Sequence, residues 1–225
     1  PAANTSVVRL EKAPTIAVYA PDQTLPWDDA VLLALDHLYP EGIDAVVSGI
    51  NPGSNMGRDI FLSGTVGAAL HGHFKGIPSV AISMSRLKRP RYSTGAFVAR
   101  ALVPLIAAND SFKETILNVT VPNFKPEDLQ GVEITRLMDA HSNLEVTAGD
   151  NGRDSHYWIG IERRKRAKKK DIPKGTDVWA IREKRVSITP LHTDLTSYGA
   201  SEVLPEVLAP LRSAVADIHT ATGSS

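Results

Sequence analysis

Cysteine is absent from the chain, which excludes a disulfide framework, a thiolate metal site and a thiol nucleophile. Net charge is absent too: 25 Lys and Arg balance 25 Asp and Glu. Nothing global therefore marks a nucleic-acid binder or an acidic tail, and any electrostatic function is local. No apolar run approaches the roughly 18 residues that a membrane span needs, and no basic start followed by an apolar stretch marks a leader. The expectation is a soluble, cytoplasmic protein with no membrane partner. At 225 residues, 42% of them hydrophobic, the chain is long enough for one domain, or one domain with a sizeable appendage, around a real core. It opens at Pro1 on a polar PAANTS segment, and the expectation is that something upstream has been removed or cleaved.

Strand and helix signals alternate over the first half. TIAVYA (15–20) reads as a short strand ended by Pro21 and Asp22. Val31, Leu32, Leu35 and Leu38 follow at helical spacing, with Asp28 where a first-turn carboxylate belongs. IDAVVSG (43–49), SVAISM (79–84) and TILNVTVP (115–122) are apolar runs of the kind buried on both faces of a parallel sheet. TVGAALHGHFKG (65–76) and GAFVARALVPLIAAN (95–109) read as the helices between them. This alternation predicts an α/β fold, Rossmann-like and doubly wound, with a mostly parallel sheet. Past Pro122 the pattern changes. VEITRL, HYWIGI, DVWAI and RVSITPL look like strands with no helix between them, as in hairpins and antiparallel additions. The expected organisation is a core over 1–122, an antiparallel β-hairpin extension over 123–200 with a basic loop at 162–170, and a C-terminal helix and tail over 201–225.

The richest chemistry lies in VVSGINPGSNMGRDIFLSGTVGAAL (46–70), where glycines at 49, 53, 57 and 64 separate a strand from a helix. A loop leaving the carboxyl end of a parallel strand borders the crevice where open α/β sheets bind ligands. Ser63, Gly64 and Thr65 fall at the helix start, where free N–H groups and the helix dipole favour an anion. Asn51 and Asn55 offer carbonyl oxygens suited to a hard cation and amide donors suited to phosphate. One reading is a phosphate or nucleotide site. The other is a tight connection whose glycines let the helix pack closely on the sheet, since the loop matches neither a P-loop nor a clean dinucleotide fingerprint.

The run SGIN, then glycine, asparagine, glycine and aspartate, then SGTVGAA and GIPS closely resembles the signature of the SurE survival-protein nucleotidases. ILNVTVP (116–122), YWIG (157–160), GTDVWAI (175–181) and VSITPLHTDLT (186–196) follow in the family's order. What the resemblance implies is a metal-dependent phosphomonoesterase that hydrolyses nucleoside 5′/3′-monophosphates to nucleoside and phosphate. It also implies Mg²⁺ or Mn²⁺ as cofactor, a Rossmann-like core with a hairpin extension, and a homodimer or homotetramer. Carried over by position, Asn51 matches the asparagine metal ligand, and Asn55, Ser63, Gly64 and Thr65 match the phosphate-facing loop. Asp59 matches a loop aspartate, read here as structural because short loop carboxylates commonly bond their own backbone.

One part of the family pattern is missing. Its members open with a strand ending in Asn-Asp-Asp-Gly, whose aspartates bind the metal, followed by a ligand serine. No such opening occurs here, so one of four expected ligands remains and the catalytic aspartates have no counterpart. Asp28 and Asp29 do not replace them: they follow Trp27 and precede a helix, the setting of a cap. An asparagine carbonyl without carboxylates does not hold Mg²⁺ or Mn²⁺ usefully, and the loss of a central strand would leave unpaired backbone in the sheet. The expectation is an enzyme completed by an N-terminal piece. The alternatives are a catalytically inactive scaffold that binds nucleotide or drives oligomerisation, and a partner chain that supplies the aspartates.

Other features read as structural. His71 and His73, two apart on a helix, point to different sides and do not share an ion. His192 and Asp194 suit the site's edge, a subunit interface or an ordinary structural polar role. Trp27, Trp158 and Trp179 suit packing or an interface better than base stacking. RRKRAKKK (163–170) carries seven positive charges in eight residues, but no aromatics are interleaved to stack bases, so a solvated hairpin tip is expected and nucleic acid is not an expected partner. Replacing the Lys and Arg residues of this run by Ser is expected to leave RNA affinity unchanged across a salt titration.

Overall fold

The computed structural model describes residues 31–32, 34–39, 42–86, 88–139, 144–150, 155–161, 171–213 and 215. The expected strand 15–20, the Asp28–Asp29 pair, Trp27 and the basic run 163–170 lie outside these residues. Two compact units are defined, Pro1–His192 and Thr193–Ser225. In the first, strands β1 (Val46–Pro52), β2 (Ser79–Met84), β3 (Ile116–Val121) and β4 (Val132–Ile134) join with β7 (Val186–Leu191) in one sheet of order β1-β2-β3-β7-β4. β5 (Leu144–Asp150) and β6 (Ser155–Ile161) pair separately as an antiparallel hairpin.

The apolar runs place the sheet's centre. Every residue of β2 and of β3 is buried, and the two strands run parallel in register from Ser79 against Ile116 to Met84 against Val121. Since side chains alternate across a strand, Val80, Ile82, Met84, Leu117, Val119 and Val121 share one face. There helix α2 (Tyr92–Ala107) packs Val98, Ala99, Val103 and Ile106. The opposite face carries Ser79, Ala81 and Ser83 beside Ile116, Asn118 and Thr120. Helix α1 (Gly64–Phe74) packs Val66 and Ala69 against Ala81 and Ile116 on that face. Helices on both faces make the α/β sheet doubly wound, as expected. The second face also changes character along its strands, from apolar under α1 to polar toward the carboxyl ends of β2 and β3.

One assignment made from sequence changes. DVWAI is not a strand: it forms helix α3 (Asp177–Arg182), because the Thr176 hydroxyl accepts the Trp179 N–H at 3.3 Å and caps the helix. A cap outweighs the weak strand preference of a Val-Trp-Ile run. RVSITPL and VEITRL both join the main sheet, RVSITPL as an antiparallel addition. β7 runs antiparallel to β3, Ile116 opposite Leu191 and Thr120 opposite Ser187, and β4 runs parallel to β7. Their alternation explains this: Val186 and Ile188 join the apolar core, while buried Ser187 and Thr189 extend the polar part of the other face. HYWIGI falls in the hairpin as expected. In the second unit, helix α4 (Tyr198–Val207) contains Pro205.

Helix α1 lies very close to the sheet at Gly72. A Cβ there would stand 2.5 Å from Ser79 Oγ and 2.6 Å from Val46 Cγ2, well inside van der Waals contact. Gly72→Ala is therefore expected to destabilise the fold by about 1–3 kcal/mol, as overpacking does, although alanine is the better helix former. Urea unfolding of the two proteins would measure it, and equal or greater stability of the variant would contradict the close approach.

Candidate functional site

The site is assembled between the carboxyl end of β1 and the first turn of α1. β1 pairs in parallel with β2, but the register shifts between Ser48 and Asn51. Gly49 occupies the shift at φ +128°, and a Cβ there would run into the Ile82 carbonyl oxygen, so only glycine fits. Asn51, at the end of the strand, turns its side chain along the chain, and its Nδ2 donates to the Gly53 carbonyl at 2.8 Å. That bond fixes the amide and leaves Oδ1 as the atom available to a ligand.

Asn55 is 8% exposed and is held by its backbone. Its N–H donates to Ser83 Oγ at 3.2 Å. Its carbonyl accepts from Asn118 Nδ2 at 2.9 Å and from Thr120 Oγ1 at 3.3 Å, and Ser83 and Thr120 also bond each other at 3.2 Å. These are the polar residues of the second sheet face, so the strands form the floor beneath the loop. The Asn55 Nδ2 is buried with no partner, and so is Asn118 Oδ1. An orphaned buried donor costs about 1–3 kcal/mol. It therefore marks a place where an acceptor belongs.

Beyond Asn55 the chain makes a 3₁₀ helix, Gly57–Leu62, and enters α1 at Ser63. Ser63 is the N-cap: its Oγ accepts the Val66 N–H at 3.2 Å, and its carbonyl takes the Gly67 N–H at 2.9 Å. The first-turn N–H groups of Gly64 and Thr65 have no acceptor within the helix, and the helix dipole adds to their positive end. Arg58, the loop's cation, is paired with Asp139 at 2.5 Å. The helix terminus itself offers an incoming anion neutral donors, a geometry suited to phosphate.

The remaining candidates lie as follows. Asp59 lies within the 3₁₀ helix, its N–H on the Met56 carbonyl at 3.2 Å. His71 and His73 are half-buried rather than surface residues, each packed near the Phe74 ring. Asp194 accepts the Thr196 N–H at 2.8 Å and the Tyr198 hydroxyl at 2.6 Å, a turn before α4. Trp179 lies on α3 with Lys174 Nζ 5.9 Å from its ring centre. Among the described residues, no group of three or more His, Asp or Glu side chains could hold a metal. Asn51 Oδ1, the ligand that the resemblance implies, does not by itself fit a hard dication, which takes carboxylates.

Sequence reading passed over Asp177. Its carboxylate is fully buried, and its Oδ2 accepts the Gly57 N–H at 2.7 Å. Oδ1 accepts from Met138 N at 3.0 Å and Val178 N at 2.7 Å. The available signal was the Thr-Asp pair, which reads as a cap and first-turn acid once DVWAI is recognised as helical.

Comparison with known proteins agrees with the loop's pattern. The family model described as Survival protein SurE matches residues 6–143. A 5'-nucleotidase SurE of Legionella pneumophila (strain Lens) is 40% identical over 184 residues, 80% of this chain and 70% of the relative. One of Ruthia magnifica subsp. Calyptogena magnifica is 38% identical over 184 residues, 82% of this chain and 72% of the relative. The crystal structure of SurE protein from Aquifex aeolicus superposes with a TM-score of 0.68 at 30% identity, covering 91% of this chain and 83% of that one.

Loss of the helix cap has a measurable cost. Ser63→Ala is expected to lower stability by about 1 kcal/mol, and Ser63→Thr to recover most of it, since a threonine hydroxyl also caps. Denaturant unfolding of both variants checks this, and a Ser63→Ala protein as stable as the parent would remove the capping role.

Proposed function

Because the chain belongs to the SurE survival-protein family, we propose that it is a nucleotidase that hydrolyses nucleoside 5′- and 3′-monophosphates to nucleoside and phosphate. The observation that carries this reading is the buried, unpartnered Asn55 Nδ2 beside a helix terminus with unspent N–H groups. In the proposed roles, Gly64 and Thr65 N–H groups and the Ser63 hydroxyl bind the phosphoryl oxygens, and Asn55 Nδ2 supplies a further donor. Fixed donors of this kind act most where charge gathers as the phosphorus–oxygen ester bond breaks. The oxygen of water joins phosphorus, and the leaving oxygen takes up a proton to become the nucleoside hydroxyl.

The family resemblance implies a divalent cation, Mg²⁺ or Mn²⁺, and Asn51 Oδ1 is the atom proposed to face it. Such an ion would need carboxylate donors from outside the described residues, so the chemistry assigned to the described residues is binding and orientation alone. A homodimeric or homotetrameric assembly and a cytoplasmic location belong to the same reading. The resemblance implies the first, and the lack of cysteine fits the second. Among the described residues, no helix is long and apolar enough to cross a membrane.

A second reading, a non-catalytic nucleotide-binding or oligomerisation scaffold, draws on the lack, among the described residues, of any group of three or more His, Asp or Glu side chains that could hold a metal. Phosphate release from a panel of nucleoside monophosphates separates the two. The enzyme reading expects release with Mn²⁺ or Mg²⁺ and its loss on chelation with EDTA. Nucleotide-dependent thermal protection with no release under any cation would favour the scaffold. Within the enzyme reading, Asn55→Ala is expected to lower kcat/KM on the order of a hundredfold. Stability should stay close to the parent's, because the deleted amide nitrogen bonds nothing in the protein. An unchanged kcat/KM would remove Asn55 from the site.

A further inference from the structure

Resting on the phosphate-loop reading, we propose that Asp177 is a positioning residue that sets the placement of the phosphate loop through the Gly57 N–H. Asp177 is 120 residues from Gly57 in sequence, yet its Oδ2 accepts that N–H at 2.7 Å. The same carboxylate takes Met138 N and Val178 N on Oδ1, and the Asp177 N–H donates to the Arg136 carbonyl at 3.0 Å. One side chain thus ties three pieces of backbone together: the glycine loop, the segment that follows β4, and the first turn of α3.

The chemistry calls for a carboxylate. Burying an acid is unfavourable unless it is fully bonded, and a residue needed only to fill space here would be apolar. Two oxygens with no donor of their own are what three converging N–H groups require. Asparagine has similar size and shape but one oxygen. The two N–H groups at Oδ1 would claim that oxygen, and the amide nitrogen would then face the Gly57 N–H, donor against donor.

Gly57 is a sensitive place to apply such a tie. It is buried, at φ +55°, two positions after Asn55 and at the start of the 3₁₀ helix that delivers Ser63. Strand residues hold the loop at Asn55, and Asp177 holds it at Gly57. Together the two anchors determine how the chain enters α1 and where the Gly64 and Thr65 N–H groups point.

Asp177→Asn tests the inference, because it is expected to keep the bonds to Met138 and Val178 and to release Gly57 alone. The probes are inorganic phosphate binding by titration calorimetry, amide hydrogen exchange, and kcat and KM for a nucleoside monophosphate. The expected result is faster exchange at Gly57 with β2 and β3 amides unchanged. Phosphate affinity weakens about tenfold, the scale of one charged hydrogen bond, and KM rises by a similar factor while kcat changes less. Phosphate affinity and KM equal to the parent's, whatever happens to overall stability, would overturn the positioning role and leave the phosphate-loop reading standing. A parent protein that binds no phosphate would overturn both. If Asp177→Asn does not fold, the parent decides: protection of the Gly57 and Gly64 amides together on adding phosphate supports the tie, and protection of Gly64 with no change at Gly57 overturns it.

Discussion

A loop with four glycines in sixteen residues cannot hold a binding geometry by itself, and the buried hydrogen bonds beneath Asn55 are what give it one. Ordering each loop residue costs about 1–2 kcal/mol of backbone entropy, while a hydrogen bond returns about 1 kcal/mol net. The bonds from Ser83, Asn118 and Thr120 therefore do not make the loop strongly stable. Their effect comes from the penalty for breaking them, since each would leave a polar group orphaned inside the protein. The loop has one place where all of them are satisfied, and this selects its conformation more sharply than the bond energies alone suggest.

That selection follows from how the sheet is built. β2 and β3 give one face wholly to an apolar core with α2 and divide the other between an apolar half under α1 and a polar half under the loop. The division requires no irregularity in the strands. Serine, asparagine and threonine simply occupy alternate positions near the carboxyl ends, and β7 continues the same stripe with Ser187 and Thr189. A purely apolar face would have packed another helix. The polar one instead accepts backbone, so the place where a parallel sheet is open to ligands is also the place where this sheet can hold an irregular segment.

Much of this was legible in the sequence because it is local. The doubly wound core could be read from apolar runs and helical spacing, and the helix start at Ser63, Gly64 and Thr65 from its small polar residues. DVWAI was misread because two β-branched residues and a tryptophan look like a strand to any pattern of alternation, and the deciding Thr176 cap is a single hydrogen bond. Nothing within β4 and β7 records which strand they pair with. The partner of β7 is β3, some seventy positions earlier. Asn55 was placed in the loop correctly, but its backbone carbonyl is held by Asn118, 63 residues away, and the tie between Gly57 and Asp177 depends on two segments 120 residues apart. Local pattern reports where chain segments end; it does not report which buried groups meet.

The donors gathered at the loop share a further property. They are neutral: backbone N–H groups, a serine hydroxyl and a carboxamide, while Arg58 is paired with Asp139. A lysine or arginine aimed at the same place would attract a phosphate dianion more strongly, before and after reaction alike, and such uniform binding does not accelerate chemistry. Neutral donors held rigidly discriminate by direction instead, because each is useful only to an oxygen that lies along its axis. For a nucleotidase that must release inorganic phosphate after each turnover, the arrangement is coherent on this reading. Rigidity provides the discrimination, modest charge permits release, and both anchors that supply the rigidity, the strand floor under Asn55 and the carboxylate at Gly57, lie outside the loop itself.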